Sequence, residues 1–227
     1  SRTMMRHDTE STLGKPKHAR AWRSALIIAG LALGSALSAQ TCTPAAPPYT
    51  EDFNGVTTPA IPTCMSIETI SGNPWTTVTA PTTPSGMTGK VARVSWTPSG
   101  SPNMNSCLYT KGVVLTGGTS YRLTYKYGNN STFYSESMSV AYGTSASAVS
   151  MTNPLADHPT INDNMTHTNI VDFTPSVTDT FYVGFKCYSI ADQFYLYLDD
   201  ISVTLTPTCI PPTGVTVSNV SVAGAVL

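Results

Sequence analysis

Five oxygen-bearing side chains, in two clusters far apart in sequence, are of the types that hold a hard cation. The first cluster is Glu51, Asp52 and Asn54, within Thr50-Glu51-Asp52-Phe53-Asn54-Gly55. The second is the adjacent pair Asp199 and Asp200, set into the apolar run from Phe194 to Leu205. Calcium takes carboxylate, amide and carbonyl oxygens, so calcium is the expected cofactor, in a structural role. An acid inside an apolar run needs a metal, a basic side chain or backbone N–H groups to offset its burial. Adjacent strand residues point to opposite faces, so at most one of Asp199 and Asp200 turns inward. Glu51 and one aspartate of the pair are the leading ligands. The plainer alternative is a set of surface acids, with one acid capping backbone N–H groups.

These groups need strands to position them. Asp192–Leu205 is the longest strand-like run, with Phe194, Leu196 and Leu198 on one face and Tyr195, Tyr197, Ile201, Val203 and Leu205 largely on the other. Shorter strand signals occur at Met65–Ile70, Lys90–Trp96, Cys107–Leu115 (broken at Gly112), Tyr121–Tyr127, Ser137–Tyr142, Asn169–Thr174 and Thr180–Lys186. Residues 144–166 carry Pro154 and Pro159 and read as loop with one helical turn. No amphipathic helix follows residue 40. Roughly eight to ten short strands joined by Gly, Pro and Asn turns predict an all-β sandwich.

Composition narrows the setting. Residues 1–40 read as a signal peptide: a basic region, the apolar stretch Ser24–Ala39, then Gln40. That stretch is shorter than the roughly 20 residues of a spanning helix, so no membrane span is expected after its removal; the alternative is an uncleaved membrane anchor. Residues 1–23 hold six of the twelve Lys and Arg together with Asp8 and Glu10, which leaves six bases against eleven acids, a net charge of −5. An acidic remainder argues against nucleic acid as a partner. Cys42, Cys64, Cys107, Cys187 and Cys209 contain no Cys-x-x-Cys pair, and in an exported chain disulfides are the default. Residues 41–206 form the main domain. Residues 207–227 begin with a Pro-rich linker around Cys209 and continue as the truncated start of a second β domain.

Several stretches together resemble the cleaved-adhesin, or choice-of-anchor J, modules of secreted and surface proteins of Bacteroidetes-type bacteria. They are Tyr49-Thr50-Glu51-Asp52-Phe53-Asn54-Gly55, Lys111–Tyr127, Tyr182-Val183-Gly184-Phe185-Lys186-Cys187-Tyr188 and Asp192–Val203. The resemblance covers residues 49–205 and implies a jelly-roll sandwich related in shape to MAM domains. The tail from Cys209 to Val220 is similar to the entry of a fibronectin type III repeat. Where the family commonly shows Leu-Pro-x-Gly-Trp, this chain has Ile61-Pro62-Thr63-Cys64-Met65, which leaves Cys64 to be joined to another strand. In a jelly roll the first and last strands can pair, which would bring the two acid clusters together. Related jelly rolls hold calcium at such a place.

Catalysis has little support. After the leader the histidines are His158 and His167, both in polar surroundings, and neither Gly-x-Ser-x-Gly nor His-Glu-x-x-His occurs. A glycosidase needs two facing carboxylates, and calcium explains Glu51 and Asp199 with fewer assumptions. The many tyrosines suit stacking on sugars, although most sit at strand spacing and should pack in the core. Tyr134 and Tyr188, in turn-like contexts, are the candidate ligand-binding residues. The expected function is a non-catalytic adhesion or ligand-binding module of a larger exported chain, with an extracellular glycan or a host or matrix protein as partner. The alternatives are an accessory domain of a secreted peptidase or other hydrolase, and a structural spacer.

Overall fold

A computed structural model of the chain describes residues 41–208 and two further strands, Ser218–Ser221 and Gly224–Val226. The leader, Cys209 and most of the tail lie outside the described residues. Twelve strands build the main body: β1 (Tyr49–Glu51), β2 (Ser66–Ser71), β3 (Thr76–Thr79), β4 (Lys90–Ser95), β5 (Asn105–Tyr109), β6 (Val113–Leu115), β7 (Tyr121–Asn129), β8 (Glu136–Gly143), β9 (Asn153–Ile161), β10 (Thr166–Phe173), β11 (Asp179–Cys187) and β12 (Tyr195–Leu205). They form two antiparallel sheets. Sheet one runs β10-β7-β12-β4-β3 with β1 also on β12; sheet two runs β2-β5-β11-β8-β9 with β6 also on β11. The result is the expected all-β sandwich. Among the described residues no helix is long and apolar enough to cross a membrane.

The core fills the space between the sheets. Leu123, Tyr125, Leu196 and Leu198 from sheet one meet Leu108, Met138, Val140 and Phe185 from sheet two. Tyr125 and Phe185 touch edge to face at 5.1 Å, a favoured aromatic geometry. Trp75 is buried, and its indole N–H donates to the Ser106 carbonyl at 3.1 Å. Most of the tyrosines at strand spacing are core residues, as their period requires.

The long strand departs from strict alternation. Opposite β7, the register slips between Asp199 and Ser202, which pair with Lys126 and Thr124. One extra residue is inserted, and Asp200 takes a left-handed φ of 48°. A bulge of this kind reverses the facing of everything beyond it. Leu196, Leu198, Ile201 and Val203 therefore share one core, whereas strict period two assigns the last two to the opposite face. Tyr197 lies on the outer side with Met87 and Val91.

Two edge strands fall outside the strand signals of the sequence. β9 occupies the stretch read as loop, despite Pro154 and Pro159, because it is the edge of sheet two and pairs on one side only. A proline on an outer edge forfeits no ladder bond. The helical turn within that stretch is a single 3-10 turn at Ala148–Ser150. β3 is the corresponding edge of sheet one. Cys64 is joined to Cys42 in the N-terminal linker rather than to a strand, with Cα atoms 5.5 Å apart. Cys107 and Cys187 are buried free thiols.

Candidate functional site

The acid clusters meet where β12 changes partner. Residues Tyr195–Leu198 of β12 pair with β4, and Ile201–Val203 pair with β1, Glu51 lying opposite Ile201. The bulged pair Asp199–Asp200 sits at this handover. Glu51, Asp52 and Asp200 line one open cleft of about 250 Å³ with Thr50, Ile201 and Ser202. Asp199 is 1% exposed. Its Oδ1 accepts the Asp200 amide at 2.8 Å, and its Oδ2 is buried with no hydrogen-bond partner. Burial, only partly countered by the Asp200 amide and by the Thr88 amide, which lies outside hydrogen-bond geometry, pushes its carboxyl up to about 7. Burial likewise raises the Glu51 carboxyl, whose Oε1 accepts the Phe53 amide at 2.8 Å.

The other three residues of the set have protein partners. Asp200 meets the Lys126 ammonium at 2.7 Å. Asp52 caps the Asn54 amide at 3.0 Å, which holds its carboxyl below the usual range. Asn54 Oδ1 accepts the Lys90 amide at 2.7 Å, while the Lys90 ammonium donates to the carbonyls of Asn54 and Val56. Among the described residues no three His, Cys, Asp or Glu side chains converge as a metal cage. Glu51 and Asp199 are the two hard oxygen donors of the set that burial penalises, Glu51 lining the cleft and Asp199 lying outside its lining with its Oδ2 unpartnered; a calcium ion would relieve both. The rest of a shell would have to come from backbone carbonyls and water.

A second feature lies on the outer face of sheet two. A shallow groove of about 710 Å³ has Ser139 and Ala141 of β8 as its floor, Pro154 to Asp157 of β9 along one side, and Met151 and Tyr188 as walls. A smaller hollow of about 230 Å³ adjoins it over Gly184, Cys107 and Lys186. The loop after β8 forms part of the wall. Glu68 anchors that loop by accepting the Ala148 amide at 2.6 Å and the Tyr109 hydroxyl at 2.7 Å. Gly143 and Gly184 allow the loop this close: a Cβ on Gly143 would stand 1.8 Å from the Ser150 carbonyl oxygen, and one on Gly184 would stand 2.9 Å from Met151 sulfur. The Tyr188 hydroxyl donates to Asp157 Oδ1 at 2.7 Å, which fixes the ring.

Of the two candidate tyrosines, Tyr188 thus stands at the groove and Tyr134 elsewhere, stacked on Phe194 at 5.8 Å. The groove residues Ser139, Asp157 and Lys186 escape the sequence reading. The one available signal is the run of small outward residues Ser137, Ser139 and Ala141 on β8. His158 is occupied within the sandwich, its Nε2 2.8 Å from the Tyr125 hydroxyl and its ring stacked on Tyr127 at 4.0 Å.

The two-sheet sandwich, whose outer face carries this loop-walled groove, is shared with solved domains. The K1 Cleaved Adhesin domain of Lys-gingipain from Porphyromonas gingivalis W83 superposes with a TM-score of 0.57 at 21% identity, covering 70% of this chain and 98% of that one. The K2 domain of the same protein gives 0.55 at 20% identity, over 69% of this chain and 99% of that one. The Cleaved Adhesin Domain family model matches residues 48–203, and the chain belongs to that family. Domains of this family come from secreted or surface bacterial proteins. No curated protein matches the sequence.

Proposed function

We propose that the chain is a non-catalytic adhesion module that takes an extracellular glycan in the groove beside Tyr188. A calcium ion held by Glu51 and Asp199 serves as its structural cofactor. The observation that carries the reading is the groove itself. An immobilised aromatic ring stands over a floor of small residues, with Asp157, Ser139 and Lys186 at hand for hydroxyl groups. A sugar presents an apolar C–H face to such a ring and hydroxyls to such neighbours. The cation would tie β1 to β12 and relieve the unpartnered Asp199 oxygen; Asp52 and Asp200 line the cleft together with Glu51, and Asn54 ties the neighbouring loop to Lys90.

The test is a glycan and matrix-protein array probed with residues 41–208, in calcium and in chelator, with Tyr188→Ala alongside. A glycan hit lost in Tyr188→Ala supports the reading, and weakening in chelator adds the cation to it. Binding confined to matrix proteins would overturn the glycan. No binding by a folded protein would favour a spacer, or the accessory domain of a larger hydrolase.

A further inference from the structure

A different part of the molecule carries a strip of aromatic rings that the groove does not use. It lies at the end of the sandwich where the β7–β8 and β11–β12 loops meet. Tyr134 stacks on Phe194 with an interplanar angle of 28°. Phe194 contacts Tyr195 at 4.4 Å, and Tyr195 is followed by Tyr197 at 6.2 Å. Phe133 is 93% exposed and Tyr134 41%. Phe194 and Tyr195 are half-buried, so ring surface continues from these two toward Arg93, whereas exposed apolar side chains on a surface that meets only water are scattered singly.

The rings are not on slack loops. Asn129 is fully buried and donates from Nδ2 to the carbonyls of Ser131 and Tyr134 at 2.8 and 2.9 Å. Ser131 Oγ accepts the amides of Phe133 and Tyr134. Glu136, 3% exposed, accepts the Phe194 amide at 2.7 Å and the Ser189 hydroxyl at 2.5 Å. Gln193 accepts the Ser135 amide at 2.6 Å. Two buried polar side chains therefore hold both loops in one shape. Burying a carboxylate and an amide is costly unless every bond is made, and here the result is a preformed surface. A ligand docking on it has little loop ordering to offset.

One cation belongs to this strip. The Arg93 guanidinium lies 4.5 Å over the Tyr195 ring. Its Nε–H is buried and has no partner. Among the described residues Arg122 and Lys126 each meet a carboxylate, at 2.8 and 2.7 Å, while Arg93 meets none. Placed beside stacked rings, an unpaired guanidinium complements a planar anion that arrives attached to an apolar face.

From these rigid rings and this guanidinium without a carboxylate partner we infer a second ligand site, for a sugar bearing a carboxylate, such as a uronate or a sialate. The sugar's C–H face lies on the Tyr134–Phe194 end of the strip, and its carboxylate meets Arg93 where the guanidinium covers Tyr195. This site is independent of the groove: Tyr188 takes no part in it, so either can fail while the other stands.

Titration calorimetry with trigalacturonic acid, its methyl ester, sialyllactose and lactose tests it. The acid forms should bind about tenfold more tightly than their neutral counterparts, the equivalent of one charge-assisted contact. Arg93→Gln should erase that preference, and Arg93→Lys should restore part of it. Tyr134→Ala, at an exposed ring that the core does not need, should weaken acid and ester alike. Repeating the titrations in a Tyr188→Ala background removes the groove's contribution, and the acid preference should persist there. An acid preference that persists in Arg93→Gln overturns the assignment. So does the absence of sugar binding from a folded protein, including the case in which Phe133 instead drives binding to phosphatidylcholine vesicles.

Discussion

Asp199→Asn separates burial from charge at the β4-to-β1 handover. The Asp199 carboxyl is raised by burial from 3.8 to about 7. When an acid's folded value lies above its unfolded one, the unfolded chain releases its proton first as pH rises. Stability then falls across the interval between the two values and levels off above it. In chelator, this group should therefore destabilise the protein progressively from about pH 4 to about pH 7. The interval corresponds to about 4 kcal/mol. Asparagine abolishes the ionisation but places an amide where Oδ2 has no partner, at a cost of about 1–3 kcal/mol. The net expectation at pH 8 in chelator is a variant more stable than the parent by about 1–3 kcal/mol. At pH 4, where the parent is protonated, the variant should be the less stable of the two. For a domain of this size that is a melting shift of about 2–4 °C per kcal/mol. The assay is thermal melting in chelator from pH 4 to 8, repeated with calcium. Calcium at a hundredfold its dissociation constant should stabilise the parent by about 2.7 kcal/mol and the variant far less. A parent whose melting is flat from pH 4 to 7, beside a variant no more stable at pH 8, would show that the carboxylate is satisfied where it lies and that the burial argument fails.

Burial lowers the His158 imidazole from 6.5, so the folded state favours the neutral ring and stability is lost as pH falls below 6.5. This slope is opposite to that of Asp199, and His158→Phe, which can still stack on Tyr127, should flatten it in melting curves below pH 6.5. Gly143→Ala should displace the loop that walls the groove, because the new Cβ would collide with the Ser150 carbonyl; limited proteolysis within residues 145–151 should rise and groove binding should fall. Replacing Cys42 and Cys64 by serine removes a crosslink between residues 22 apart, at a cost of roughly 3 kcal/mol in denaturant unfolding; an unchanged midpoint would count against it.

The interior strands were legible because their residues alternate. Tyr121, Leu123 and Tyr125, and likewise Phe181, Val183 and Phe185, are buried where period two places them. The edge strands β3 and β9 were not, since an edge need not bury both faces and can tolerate proline. The bulge was hidden for a different reason: Asp199-Asp200 reads as an acid pair, and only the register against β7 reveals the inserted residue. The residues Glu51, Asp52 and Asp200 could be paired across the chain from the jelly-roll topology alone, and the cleft they share follows from it. That Asn54 serves as a brace was beyond reach, because its partner Lys90 lies 36 residues away. The groove was equally hidden, as its floor is defined by small size rather than by reactive chemistry.

The Cys42–Cys64 bridge has a mechanical consequence. β1 and the Thr50–Asp52 side of the cleft lie inside the covalent loop that it closes. When the chain is pulled from beyond both ends of the domain, tension entering at Cys42 crosses the sulfur atoms to Cys64 and passes on toward β2. The short first strand is bypassed, so a load borne during attachment does not peel Tyr49–Glu51 away from the last strand. Reducing the bridge reroutes the load through β1, whose three residues would part from β12 first. A module held by an oxidised bridge should therefore keep its N-terminal edge intact under a force that strips it from a reduced one.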